Sequence, residues 1–181
     1  MPLKGLLTEQ EALEKILSAA KVVADVEDVP TGAALGRTLA AAQVAIADVP
    51  AGDNSAMDGY ALRISDVSGP ETRLPVSQRV AAGHPPEPLA PGSAARIFTG
   101  ALIPEGADCV VKQEDCSAED GAVVVHVPGA PGEHIRRRGD DVRAGETLIE
   151  RGIRIRPQEM AIVASNGVAS LPVYRSLMVA I

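Results

Sequence analysis

A mainly β chain with a few helices, an α+β protein, is the architecture this sequence predicts. Three observations carry it. Short runs of β-type residues recur between residues 44 and 127, each cut off by Gly, Pro, Asp or Asn. Helical periodicity with a capping residue in front of it is confined to two stretches, near residues 8–21 and from Pro157 onward. Apolar residues make up 46% of the chain but aromatics only 2%, so Val, Ile, Leu and Ala must build the core.

The elements follow in order. Thr8-Glu9-Gln10-Glu11 reads as a capping box, and Leu13, Ile16, Leu17 and Ala20 follow on one face, which predicts a helix over 8–21. Residues 31–35 suit a second, short helix that Gly36 is placed to end. The β-type runs are 44–47, 74–81, 95–98, 109–112 and 123–127, spaced as in a small antiparallel sheet system. The stretch 82–91 is rich in proline, which removes ladder donors, and cannot be an interior strand. Residues 146–149 and 153–155 are strand-like. Pro157 opens a helix at its first turn, where its missing N–H costs nothing, and Gly167 closes it. A strand is expected over 171–174. The apolar run 177–181 has the character of a buried parallel strand, and a chain ending inside such a run reads as truncated.

Composition excludes several function classes. A net charge of -7 argues against a nucleic-acid partner, and so does the shortage of aromatic platforms for base stacking. A small anionic ligand is still compatible, because basic clusters can sit in an acidic protein. There is no apolar stretch long enough to span a membrane, and the first residues lack the apolar centre of a signal peptide. Cys109 and Cys116 have six residues between them, which fits neither a redox pair nor a zinc knuckle. They read as two free thiols in a reducing cytoplasm.

Three polar segments are candidates for chemistry. The first, residues 50–61, packs Asp53, Asn54, Ser55 and Asp58 beside Gly52 and Gly59. Carboxylates of this kind suit a hard cation such as Mg²⁺, and glycine lets the backbone approach a ligand closely. A turn-rich connector of Asp, Asn, Ser and Gly is the ordinary alternative. The second places Thr99 and Gly100 at the end of a strand, where a hydroxyl and amides can face a ligand, although Thr-Gly is also a common turn. In the third, residues 132–141, Arg136, Arg137 and Arg138 can bind phosphate or other anionic oxygens. Asp140 and Asp141 alongside them either hold a cation or make this a solvated loop of internal ion pairs.

Taken in order, these segments carry a resemblance. GDNSAMDGYA (52–61), RIFTGALIPEGADCVVKQED (96–115) and GEHIRRRGDDVRAGETLIERGIRI (132–155) look like three sequence blocks of the molybdopterin molybdenumtransferase family, the MoeA and gephyrin E-domain proteins. LGRTLA (35–40) and PQEMAIVASNG (157–167) resemble the flanking segments. His134 stands where the family usually has Asn, and Asp140 where it usually has Glu; both changes keep polarity.

The resemblance implies more than the residues alone. Family members are four-domain enzymes of molybdenum cofactor synthesis that insert molybdate into adenylylated molybdopterin and release AMP, supported by Mg²⁺. By similarity, residues 1–24 are a helix belonging to domain III, and 25–43 with 142–175 form an elongated domain I. Residues 44–141 form a small β-barrel-like domain II, and 176–181 are the first strand of a truncated domain III. Asp58, Thr99 and Asp141 match catalytic positions, with Asp58 and Asp141 as metal ligands. Asp53, Asn54, Ser55, Gly100 and Glu114 match nearby cofactor-binding positions, and Arg136, Arg137 and Arg138 would steer the anionic precursor. The resemblance further implies a homodimer in the cytoplasm, with this chain forming one wall of an inter-subunit cleft and inactive alone. The alternative within the family is a non-catalytic binding or scaffold module of the gephyrin type. The apolar face of the first helix, without its family partner domain, is expected to meet a second copy, swap, or order poorly.

Overall fold

A computed structural model describes residues 7–180. Thr8 and Glu11 set the start of helix α1 (Glu9–Ala19): the Thr8 hydroxyl accepts the Glu11 amide, and the Glu11 carboxylate accepts the Thr8 amide at 2.8 Å. Twelve strands and a second helix follow: β1 (Val26–Pro30), β2 (Gln43–Val44), β3 (Asn54–Ser55), β4 (Gly59–Leu62), β5 (Thr72–Val80), β6 (Ala94–Ile97), β7 (Cys109–Lys112), β8 (Cys116–Glu119), β9 (Ala122–Val125), β10 (Ile135–Arg136), β11 (Thr147–Ile149), α2 (Pro157–Ser165) and β12 (Ser170–Tyr174). The protein is thus mainly β with two α-helices, as its sequence predicts.

One core lies where β1 and β12 meet. β1 pairs antiparallel with β12, and Ala34, Leu39, Ile149, Ile155, Val163, Leu171 and Val173 pack together against α2. Pro157 opens α2, and the Glu159 carboxylate reaches back to the Arg156 amide and guanidinium. Arg37 bonds the Tyr174 carbonyl at 2.8 Å, tying the segment after β1 to the end of β12.

The second core is built on a curled six-stranded sheet in the order β7-β4-β6-β5-β9-β8. β5 holds two partners: Thr72–Pro75 side with β9, antiparallel, and its second half with β6, parallel. Alternation along the strands sends side chains to opposite faces. Tyr60, Leu62, Ala94, Cys109 and Val111 fill one face, and Ala61, Ala95, Ile97 and Val110 the other. β4 is buried along its whole length, because β6 and β7 flank it and both faces are covered. Gly59 is required there by a close approach, since a Cβ at that position would overlap the Val111 carbonyl.

Several expectations are corrected. Residues 50–61 are not one loop: they contain β3 and most of β4, and the polar residues of the segment disguise a buried strand with Tyr60 and Leu62 in the core on one face and Ala61 in that on the other. The sheet is not wholly antiparallel, since β5 and β6 run parallel. Residues 31–35 make only a 3-10 turn at Thr31–Ala33, although Gly36 does adopt a left-handed φ of 77°. The run at 44–47 shortens to β2, and 153–155 to a single bridge between Thr38 and Arg154. β1 and β8 are strands the periodicity did not announce. Residues 176–180 form no strand, since no neighbour pairs with them; Ile181, the last residue of that expected strand, lies outside the described residues. Among the described residues no helix is long and apolar enough to cross a membrane. Both cysteines are free, and burial pushes each thiol up to about 11, so neither is primed as a nucleophile.

Candidate functional site

β3 brings the three polar segments together. Its Ser55 amide donates to the Ala101 carbonyl at 2.9 Å, and the Gly100 amide donates back to the Ser55 carbonyl at 2.8 Å. On its other side β3 pairs with β10, Asn54 opposite Arg136 and Ser55 opposite Ile135. The short strand therefore carries the 99–101 turn on one flank and the arginine segment on the other. Ser55 itself is buried, with its hydroxyl donating to the Met57 carbonyl at 2.6 Å, so it shapes the turn rather than facing a ligand.

Asp58 and Thr99 are a joined pair. One oxygen of Asp58, Oδ1, accepts the Thr99 amide at 2.8 Å and the Thr99 hydroxyl at 2.7 Å. The amide, then the hydroxyl, and then the charge of Arg96 hold this carboxyl below the usual carboxylate range. Its second oxygen, Oδ2, has no hydrogen-bond partner among the described residues. Glu114 is exposed in the 3-10 turn after β7, close to Asp58 along the backbone, because the Gln113 amide donates to the Asp58 carbonyl at 3.0 Å.

The arginine segment is a set of internal ion pairs. Arg136 places one nitrogen on both oxygens of Asp141, at 2.7 and 2.6 Å, and that carboxylate pushes the guanidinium pKa up. Arg137 meets Asp53 at 2.6 Å, and the Arg138 amide donates to the other Asp53 oxygen at 2.9 Å. The Arg138 amide, with Arg137 behind it, lowers the pKa of Asp53 against a partial burial that raises it. Arg138 pairs in turn with Asp48. Asp140 caps the turn by accepting the Arg137 amide.

The direct contacts thus join Asp58 to Thr99, Asp53 to Arg137 and Arg138, and Asp141 to Arg136, as separate groups on one backbone frame. Among the described residues no cluster of three or more His, Cys, Asp or Glu is placed to hold a metal. Mg²⁺ takes oxygen ligands and commonly uses one or two carboxylates with waters and substrate phosphates. Asp58 fits that role through Oδ2. Asp141 fits it less well, because both its oxygens serve Arg136.

Asn54 adds a further feature. It is buried, its amide oxygen has no partner among the described residues, and it borders a cleft of about 460 Å³ with Pro50, Gly52, His84, Gly100 and Leu102. Sequence reasoning passed over Arg96, whose nitrogens bond the Gly59 carbonyl at 2.9 Å and the Gln113 side chain at 2.6 Å and whose charge bears on Asp58. The signal was available: Arg96 stands two residues before Phe98 in RIFTG, so alternation puts both on one face.

Comparison with known proteins places this frame. Residues 7–167 match the family model described as the MoeA N-terminal region, domains I and II. The chain is 40% identical to the molybdopterin molybdenumtransferase of Synechococcus elongatus, covering 96% of this chain and 45% of that protein. It is 38% identical to the enzyme of the same name from Haemophilus influenzae, over 97% of this chain and 44% of the relative. The crystal structure of the molybdopterin biosynthesis MoeA protein from Pyrococcus horikoshii superposes with a TM-score of 0.83 at 37% identity, covering 91% of this chain and 45% of that one. The chain spans less than half the length of the relatives it matches. From the fit to that model over most of its length, and from these relatives, the chain belongs to the MoeA family, to whose N-terminal region it corresponds.

Proposed function

We propose that the protein serves molybdenum cofactor biosynthesis as a molybdopterin molybdenumtransferase, inserting molybdate into adenylylated molybdopterin with release of AMP. Membership of the family and the names its relatives bear support the reaction; the Asp58–Thr99 pair is the observation that carries this chain's part in it. In this reading the chain forms one wall of a cleft between the subunits of a cytoplasmic homodimer and does not turn over alone.

In the reaction water attacks the phosphoanhydride that joins AMP to the pterin phosphate, its oxygen bonding to phosphorus as the bridging P–O bond breaks, so negative charge builds on the leaving phosphate. Thr99 fixes the rotamer of Asp58 with two bonds to one oxygen, leaving the other without a partner among the described residues on a carboxyl held low. Asp58 is then the residue that would hold Mg²⁺, with Asp141 joining it where Arg136 gives up that carboxylate. The cation, when bound, neutralises phosphate charge. Asp53, Arg137 and Arg138 keep the third segment in place against β3, and Gly100 holds the turn through its bond to Ser55. Asn54 borders the adjoining cleft, while Glu114 would supply an exposed carboxylate from the turn after β7 and Arg136 would meet the anionic substrate on release from Asp141.

A chimera tests this. The chain would replace the matching N-terminal part of the Haemophilus influenzae relative, in cells lacking the insertase. Molybdoenzyme activity should return with the wild-type chimera and be lost with Asp58→Ala and with Asp141→Ala. A stable, folded wild-type chimera that restores nothing would overturn the proposal, and would leave a binding module of the gephyrin type as its replacement.

A further inference from the structure

We infer that Arg79 and Arg96, both stacked on Phe98 beside the Asp58–Thr99 pair, form a binding site for a phosphate group; that this phosphate belongs to the substrate rests on the function proposed above.

Arg79 on β5 and Arg96 on β6 are register partners in the parallel pair of strands, so their side chains leave the same face of the sheet side by side. Like charges placed directly opposite each other are destabilising. The fold offsets this in part with aromatic rings. The Arg79 guanidinium carbon lies 4.5 Å and that of Arg96 4.7 Å from the Phe98 centroid, and Arg96 also lies 5.2 Å from that of Tyr60. No carboxylate pairs with either arginine among the described residues. Arg96 donates to two neutral oxygens, of Gly59 and Gln113, and keeps donors to spare. Arg79 is exposed and makes no hydrogen bond or ion pair among the described residues. The contrast with the third polar segment is direct: Arg136, Arg137 and Arg138 are each matched to an aspartate.

In a protein with a net charge of -7, two adjacent guanidiniums without a salt-bridge partner among the described residues are a local positive spot that concentrates an anion. The acidic groups nearby include Asp58, whose Oδ1 is tied to Thr99 and whose Oδ2 stays unpaired among the described residues, Glu114, which contacts Gln113 at 3.4 Å, and Asp115, which Lys112 pairs at 3.2 Å. Two planar forks offer paired N–H donors to a tetrahedral phosphate, and stacking on a ring fixes their orientation before the ligand arrives. The Arg96 charge acts on the Asp58 carboxyl, so a phosphate gripped here lies near the Asp58–Thr99 pair. The adaptation is to phosphate rather than to the ring system of a ligand, because the Phe98 ring is already engaged by the two guanidiniums.

The test is an NMR titration of the chain with AMP, with inorganic pyrophosphate and, separately, with molybdate, following the Thr99 and Phe98 amides. AMP and pyrophosphate should shift these amides in a saturable way. Arg79→Gln, a change at an exposed side chain, should weaken both by roughly 10-fold or more. Arg73→Gln, on the same strand but paired with Glu119 at the sheet's other end, should leave them unchanged. Equal affinity in wild type and Arg79→Gln would overturn the inference, as would binding of molybdate without AMP or pyrophosphate, or no binding to the folded wild type. These outcomes are separate from the chimera experiment: a complementing chimera with no phosphate bound at Arg79 defeats the inference alone. A failing chimera with Arg79-dependent phosphate binding defeats only the function.

Discussion

At the scale of the residue, the site turns on how one carboxylate is held. Thr99 contributes two bonds to Asp58, and its amide does more than its hydroxyl to keep the carboxyl low. Removing the hydroxyl alone therefore leaves Asp58 ionised near neutrality but frees it to rotate. Thr99→Ala in the chimera should reduce molybdoenzyme activity by roughly 10–100-fold, the usual effect of losing a group that orients a ligand-binding side chain. Thr99→Ser, which keeps the oxygen, should restore most of it. Full activity in Thr99→Ala would show that the pair is an ordinary turn contact. The same residues show what the sequence made legible. Asp58 and Thr99 were identifiable as a motif, but their direct contact was not, since the two are far apart in the chain and meet only because β4 and β6 pair. The three arginines were equally visible. The meeting of Arg137 with Asp53 depends on the pairing of β3 with β10, which two-residue strands do not announce by periodicity, and that of Arg138 with Asp48 joins residues far apart in the chain; only the Arg136–Asp141 pair is local.

At the scale of the element, β4 is the part the sequence hid most thoroughly. Gly59-Tyr60-Ala61-Leu62 is short, follows a run of polar turn formers and includes a glycine, which ordinarily weakens a strand. It is nonetheless buried throughout, flanked by β6 and β7, because the glycine admits a backbone approach that no other residue permits. Gly59→Ala should lower stability by about 3 kcal/mol, a fall in melting temperature of roughly 6–12 °C by thermal scan. Gly32→Ala is the matching control: a Cβ there meets nothing within 4 Å, and its φ lies outside the left-handed range. That change should be neutral or stabilise by roughly 0.4–1 kcal/mol, through the unfolded chain. Equal destabilisation by the two substitutions would remove the steric account of β4. The elements with strong local signals, the capping box of α1 and the proline start of α2, were the ones read correctly from sequence, since their determinants lie within a few residues.

At the scale of the whole molecule, the described chain has a core where β1, β12 and α2 meet and a core on each face of the six-stranded sheet, and α1 contributes to none of them. Not one residue of α1 is buried, and Leu13, Ile16 and Leu17 each remain more than half exposed. The helix is therefore held by its own hydrogen bonds and cap, which is marginal for a segment of this length in water. Its apolar face can add nothing to the stability of an isolated chain. The paired substitution Leu13→Ser and Ile16→Ser should then alter the unfolding free energy by no more than about 0.5 kcal/mol in dilute solution, as for ordinary surface changes. Leu171→Ala, inside the core beside α2, should cost about 2–5 kcal/mol in the same denaturant titration. The concentration dependence decides what the face is for. Should the melting temperature of the wild type rise with protein concentration and that of the double variant stay flat, a second copy covers α1. Flat behaviour in both would leave the helix free-standing in the chain by itself. A large loss of stability in the double variant at low concentration would mean that α1 packs on its own molecule, against the exposure seen here.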